Sequence, residues 1–137
     1  MNKPKLSFWL VAGLGLIWNL MGCMNFLVQS DPEIMAALGD EYALYKDLIA
    51  NRPAWATAAF AIAVFGGAVG CILLLLRRRV ALQVLILSLF GTVVVLAQAI
   101  MVVGLSSEVL ISTGMSVIVA LVLVWTGRTA AAAGWLR

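Results

Sequence analysis

Few residues of this chain are of types that carry out chemistry. The sequence has 137 residues, with no histidine and only two cysteines, Cys23 and Cys71. Without imidazole it lacks the usual axial ligand of haem and the commonest general base. It also has no glycine-rich loop of the phosphate-binding kind. These residue types predict that the protein is not an enzyme, with no catalytic residues, no metal site and no cofactor.

Uncharged polar residues within apolar sequence are the other candidates for chemistry. Three of them, together with Gly91, fall near one face of a predicted helix, and the fourth lies in a separate apolar stretch. One interpretation is hydrogen bonding between helices, each bond contributing on the order of 1 kcal/mol. The other is a small cavity that binds a neutral hydroxylated or amide ligand. The four residues are Asn19, Ser88, Thr92 and Gln98.

Four long apolar stretches must position these side chains, and none of the four contains a charged residue. The chain is 64% hydrophobic, against roughly 45–50% for a soluble domain. About 20 helical residues cross a bilayer core, and helices suit apolar runs without strand-like alternation. The sequence therefore predicts an all-α fold: a single domain, residues 1–137, forming a four-helix transmembrane bundle in a lipid bilayer. The stretches cover residues 6–28, 54–76, 80–103 and 109–126.

The distribution of charge predicts the orientation. Seven of the nine basic residues lie before the first stretch, between the second and third, or after the fourth, whereas all six acidic residues lie in the alternate loops. The positive-inside rule then places both termini in the cytoplasm of a bacterial inner membrane. The net charge of +3 reflects this topology and does not indicate binding to nucleic acid. The seven residues are Lys3, Lys5, Arg77, Arg78, Arg79, Arg128 and Arg137.

The loop 29–53 is the largest predicted extramembrane segment. Ser30-Asp31-Pro32-Glu33 is typical of a helix start, with Ser30 as the cap and Pro32 in the first turn. Gly39 followed by Asp40 is expected to divide the loop into two short helices. The sequence thus predicts a short amphipathic helical segment in the first periplasmic loop. It acts either as a cap over the bundle or as a substrate lid.

Small residues recur at helical spacing in three of the stretches and predict close packing of helices. Cys71 belongs to this pattern, and its predicted depth differs from that of Cys23 by much of the bilayer thickness. A disulfide is therefore not expected. The small residues join helices of the same chain or of a second copy. They are Gly15, Gly22, Ala59, Ala63, Gly66, Gly67, Gly70, Ser112 and Ser116.

Several local motifs together resemble a group of small bacterial four-span membrane proteins that are often labelled "sugar transporter". These motifs are Trp18-Asn19-Leu20-Met21-Gly22, Pro53-Ala54-Trp55, Phe65-Gly66-Gly67-Ala68-Val69-Gly70, Leu73–Leu76 with Arg77-Arg78, and Gly134-Trp135-Leu136. The resemblance covers nearly the whole chain and implies a transport function. It marks Asn19 and the Gly66–Gly70 region as family features without a defined role.

Two functions fit these features. The first is passive or facilitated transport of a small neutral solute. Since a four-helix bundle fills its own core, transport requires a homo-oligomer with the path at its interface. The second is a non-catalytic accessory or structural subunit of a larger membrane complex, bound through the small-residue faces. Neither function is proton-coupled transport, because that requires ionisable residues within the spans and no predicted span contains a charged residue.

Overall fold

The computed structural model describes residues 3–104 and 107–136, except for the side chains of Leu44, Tyr45, Leu48, Val103, Glu108, Val109, Leu110 and Ser112. The described residues form helices and turns without a strand, which confirms the all-α class. Four of the helices are long and apolar enough to cross a membrane. The helices are α1 (Leu6–Gln29), α2 (Pro32–Ala37), α3 (Ala43–Ala50), α4 (Ala54–Leu75), α5 (Val80–Val103) and α6 (Ser107–Ala132).

The four long helices form an antiparallel up-down bundle in which α4 packs against both α1 and α5. Along α1, Gly15 lies beside Cys71 and Gly22 lies beside Val64, so the residue numbers run in opposite directions. The same holds for α4 and α5, where Gly70 lies beside Leu85. The predicted four-helix bundle is therefore confirmed.

Helices α4 and α6 finish on the same side of the bundle and have the same C-terminal capping motif. After α4, Arg77 adopts a left-handed φ of 58°, and the Arg78 amide donates to the carbonyl of Leu73 at 2.8 Å. After α6, Gly134 has a φ of 78°, and the Trp135 amide donates to Ala130 at 2.9 Å. These 6→1 bonds satisfy carbonyls that a helix end leaves without partners.

Helix α6 is longer than the apolar stretch 109–126, as the Ala-rich sequence after that stretch predicts. It begins two residues earlier, at Ser107, and continues to Ala132. The extension contains Arg128 and a run of alanines. Because alanine and arginine both have high helix propensity, the α-helix continues beyond the end of the apolar stretch. The other three long helices end within one residue of the predicted bounds.

The loop between α1 and α4 forms the predicted pair of short helices, separated by a 3-10 turn at Asp40–Tyr42. The cap of α2 differs from the prediction. Asp31 is the N-cap, and its carboxylate accepts from the amides of Glu33 at 2.9 Å and Ile34 at 3.4 Å. Ser30 instead ends α1 and donates to the carbonyl of Phe26 at 2.9 Å. Because Pro32 occupies the first helical position, the residue directly before it becomes the cap.

Charge is segregated between the two ends of the bundle. Six of the eight described basic residues lie at the end where α1 begins and α6 finishes, namely Lys3, Lys5, Arg77–Arg79 and Arg128. We call this the basic end. The loop between α1 and α4, which contains α2 and α3, lies at the opposite end. It holds five of the six acidic residues of the sequence and the other two described basic residues, Lys46 and Arg52. Arg137 and the Glu108 side chain lie outside the described residues. The cytoplasmic position of the basic end stays a prediction.

Candidate functional site

Asn19 lies on α1 where that helix meets α4. Its side chain is 9% exposed, and its amide nitrogen donates to the Gly15 carbonyl at 2.8 Å and approaches the sulfur of Cys71 at 4.0 Å. A Cβ atom on Gly67 would lie 2.5 Å from Cγ of Asn19. The amide therefore fills the space that the missing side chain of Gly67 leaves. Asn19 acts here as a packing and hydrogen-bonding residue between α1 and α4.

Ser88 and Thr92 lie on the side of α5 that faces α4, and both are buried. The Ser88 hydroxyl donates to the carbonyl of Ala63 on α4 at 2.6 Å. The Thr92 hydroxyl donates to the Ser88 carbonyl within its own helix at 2.8 Å. Gly66 allows this approach, since a Cβ there would lie 3.3 Å from Cβ of Ser88. Both hydroxyl protons are thus used in hydrogen bonds to the backbone.

Gln98 differs from the other three polar residues. It is 4% exposed, and its side-chain nitrogen has no hydrogen-bond partner among the described residues. The register that sets Gly66 beside Ser88 places Gln98 level with Ala56, near the start of α4. A buried donor without an acceptor costs about 1–3 kcal/mol. Gln98 is therefore the buried polar side chain of the four for which the packing of the bundle gives no structural role.

The four polar residues predicted as a ligand site do not meet at one point. Asn19 lies between α1 and α4, Ser88 and Thr92 lie between α4 and α5, and Gln98 lies near the opposite end from the basic residues. Two cavities at the ends of the bundle are lined by other residues. The ligand-binding interpretation of Asn19, Ser88, Thr92 and Gln98 stays a prediction.

The small residues of α1, α4 and α5 bring helices of this same chain together. A Cβ on Gly15 would lie 2.6 Å from a methyl of Leu123, and one on Gly22 would lie 2.7 Å from Val64. Ala59 and Ala63 are both buried, and the Ala59 carbonyl would lie 2.7 Å from a Cβ on Gly91. On α6, Ser116 is half-buried, whereas the side chain of Ser112 lies outside the described part.

The two cysteines are free and buried. The Cys23 thiol donates to the carbonyl of Val64 at 3.4 Å, and Cys71 lies beside Asn19. Since Val64 and Cys71 are seven positions apart on α4, the two thiols differ in depth by about 10 Å. This separation is smaller than the sequence predicted, because the antiparallel register places Gly15 beside Cys71 and shifts α1 along α4. Their packing role agrees with the sequence pattern.

One feature of the basic end was missed by reasoning from the sequence. A cavity of about 200 Å³ lies between the start of α1 and the end of α6. Its lining residues Trp125, Thr126 and Thr129 were not singled out from the sequence. The signal was their spacing, because Trp125 and Thr129 are one turn apart and Thr126 lies beside them.

Four antiparallel apolar helices that bury Asn19, Ser88, Thr92, Gln98 and Thr126 define an α-helical multi-pass membrane protein. Within that class the chain matches no protein-family model, no curated protein and no solved structure. Its function therefore has to be inferred from its own residues.

Proposed function

We propose that this chain is a non-catalytic structural or accessory protein of the bacterial cytoplasmic membrane, with both termini in the cytoplasm. The observation that supports this most is the hydrogen bond from Ser88 to the Ala63 carbonyl across two helices. Asn19 also joins two helices, because its amide packs on Gly67 between α1 and α4. Polar groups used in this way hold helices in one arrangement within lipid, as a structural protein requires.

The side of α1 that faces away from the bundle is the surface we propose for a partner. Within its span 17% of the residues are buried, against 44% for α4. This outward face carries a row of residues spaced four positions apart, namely Trp9, Gly13, Ile17 and Met21. A Cβ on Gly13 would have no atom within 4 Å. A small residue in such a row lets the backbone of another membrane helix approach closely.

A pair of matched substitutions tests this proposal. Gly13→Leu on α1 and Gly114→Leu on α6 both add a side chain where a Cβ has open space. Neither should change the thermal stability of the isolated chain. After gentle extraction from native membranes, the mass of the complex should fall for Gly13→Leu and stay unchanged for Gly114→Leu. Extraction of the unmodified chain as a lone monomer would contradict the accessory function.

A second function, facilitated passage of a small neutral solute, is favoured by Gln98. Its buried nitrogen lacks a partner among the described residues, and an oxygen of a sugar, an amide or water would supply the acceptor. The resemblance to proteins labelled as sugar transporters points the same way. No charged residue lies in a predicted span, so the flux should not depend on membrane potential or on a proton gradient.

Liposomes containing the purified protein test this second function. Labelled neutral solutes should enter them, and Gln98→Leu should reduce the rate. Thr92→Val is the matched control, because the Thr92 hydroxyl is already bonded within its own helix. Liposomes that remain impermeable to a broad panel of neutral solutes would rule out passage and leave the accessory function.

A further inference from the structure

The cavity of about 200 Å³ at the basic end combines donor groups with apolar walls. Lys5 contributes an ammonium group, and three hydroxyl residues lie around it. Phe8 and Val11 of α1, together with two tryptophans, supply the apolar part. The hydroxyl residues are Ser7, Thr126 and Thr129, and the tryptophans are Trp125 and Trp135.

The walls of this cavity are held in place from several sides. Phe8 is 2% exposed and packs edge-on against the Trp135 ring, with centroids 5.8 Å apart. The Trp135 carbonyl accepts a hydrogen bond of 2.8 Å from the Arg77 guanidinium. Thr126 is buried at the cavity wall, with 7% of its surface exposed. The cavity is thus preformed by α1, α6 and the turn after α4.

The electrostatic environment of the cavity favours an anion. Lys5 lines it and Arg77 bonds to the carbonyl of its lining residue Trp135, and no acidic residue of the sequence precedes α1, lies between α4 and α5, or follows α6. Lys5 is the N-cap of α1 and makes no side-chain capping bond. The Phe8 amide donates to the Lys5 carbonyl at 3.0 Å, and the start of α1 carries the positive end of the helix dipole.

The position of the cavity determines which anion can reach it. It lies where the apolar helices end, which in a bilayer would be the level of the lipid headgroups, and Trp125 beside it is 68% exposed. One turn further into the membrane, Leu14 of α1 and Val122 of α6 are exposed. A headgroup in the cavity would thus continue into acyl chains lying along these outward apolar side chains.

We infer that this cavity binds the phosphodiester headgroup of an anionic phospholipid, with Lys5 and the Thr126 hydroxyl as donors to the phosphate oxygens. Its volume suits a headgroup and not a whole lipid. The tryptophans flank the glycerol region, where indole rings are favoured. This inference is independent of the proposed accessory function, because it concerns a different face and a different ligand.

Native mass spectrometry of the full chain in mild detergent tests the inference. The protein is titrated with phosphatidylglycerol and with phosphatidylcholine of the same acyl length. Phosphatidylglycerol should bind more tightly, and Lys5→Gln should weaken its binding about tenfold, as expected for loss of one charge-assisted hydrogen bond. Thr126→Val, which keeps the shape of the side chain, should also weaken it. Thermal unfolding of each variant establishes that the fold is intact.

Arg128→Gln is the matched control, since Arg128 lies at the same end, is exposed and does not line the cavity. It removes the same charge and should leave phosphatidylglycerol binding nearly unchanged. Equal losses for Lys5→Gln and Arg128→Gln would overturn the site in favour of diffuse attraction. Equal binding of the two lipids would overturn the anionic preference. Displacement of the lipid by millimolar inorganic phosphate would identify free phosphate as the ligand and overturn the lipid.

Discussion

Arg77 and Trp135 are joined by a hydrogen bond of 2.8 Å from the guanidinium Nε to the main-chain carbonyl, across 58 positions of sequence. Arg77 holds the left-handed conformation that ends α4, and Trp135 follows Gly134, which holds the same conformation after α6. The bond thus links the ends of two long helices. It also supports Trp135, whose ring packs on Phe8 at the start of α1.

Loss of this bond should loosen the basic end. Arg77→Gln removes the donor from the Trp135 carbonyl and should lower the free energy of unfolding by about 1 kcal/mol. Tryptophan fluorescence and thermal unfolding in detergent measure the change. Arg78→Gln is the control, because Arg78 is exposed and carries the same charge. An equal loss in the control would show that net charge, and not the bond, is responsible.

The contact between Asn19 and Gly67 gives a prediction about packing. Gly67→Ala places a methyl group against the Asn19 amide and should lower stability by about 1–3 kcal/mol, as overpacked positions do. Asn19→Ala in the same chain removes the obstructing amide, so the double variant should be more stable than Gly67→Ala alone. Thermal unfolding of both single variants and the double variant measures this coupling. Strictly additive losses would contradict a direct contact.

Ser88 and Thr92 give a prediction about hydrogen bonding between helices. Ser88→Ala removes the bond to Ala63 on α4 and should lower stability by about 1 kcal/mol. Thr92→Val removes a bond within α5 alone and should have a smaller effect, because its shape is kept and no interhelical bond is lost. Unfolding in mixed detergent micelles compares the two. A larger loss for Thr92→Val would contradict this assignment.

The segregation of charge predicts the orientation in the membrane. A periplasm-active reporter fused after Arg137 should give no signal, and one inserted at Gly39 in the loop between α2 and α3 should give a strong one. The reason is that seven basic residues lie before α1, between α4 and α5, or at and beyond the end of α6. The reverse pattern of signals would place the basic end outside the cytoplasm.

The sequence alone determined the fold class and the number of spans. Long runs without a charged residue satisfy their backbone only as helices in lipid, so length and composition were sufficient. The helix break at Gly39 was also predictable, because turn residues act over a few neighbours. The burial of Ser88, Thr92 and Gln98 on one face follows from helical periodicity.

Only the tertiary structure decided what those residues contact. The sequence left open whether the small residues meet helices of this chain or of a second copy, and the structure places Gly67 against Asn19 and Gly15 against Leu123. It also decided that Ser88 bonds to Ala63 while Gln98 keeps an unpaired nitrogen among the described residues. The cavity beside Lys5 exists because α1 and α6 meet at one end. Such contacts depend on the register between helices far apart in sequence, which periodicity within one helix does not contain.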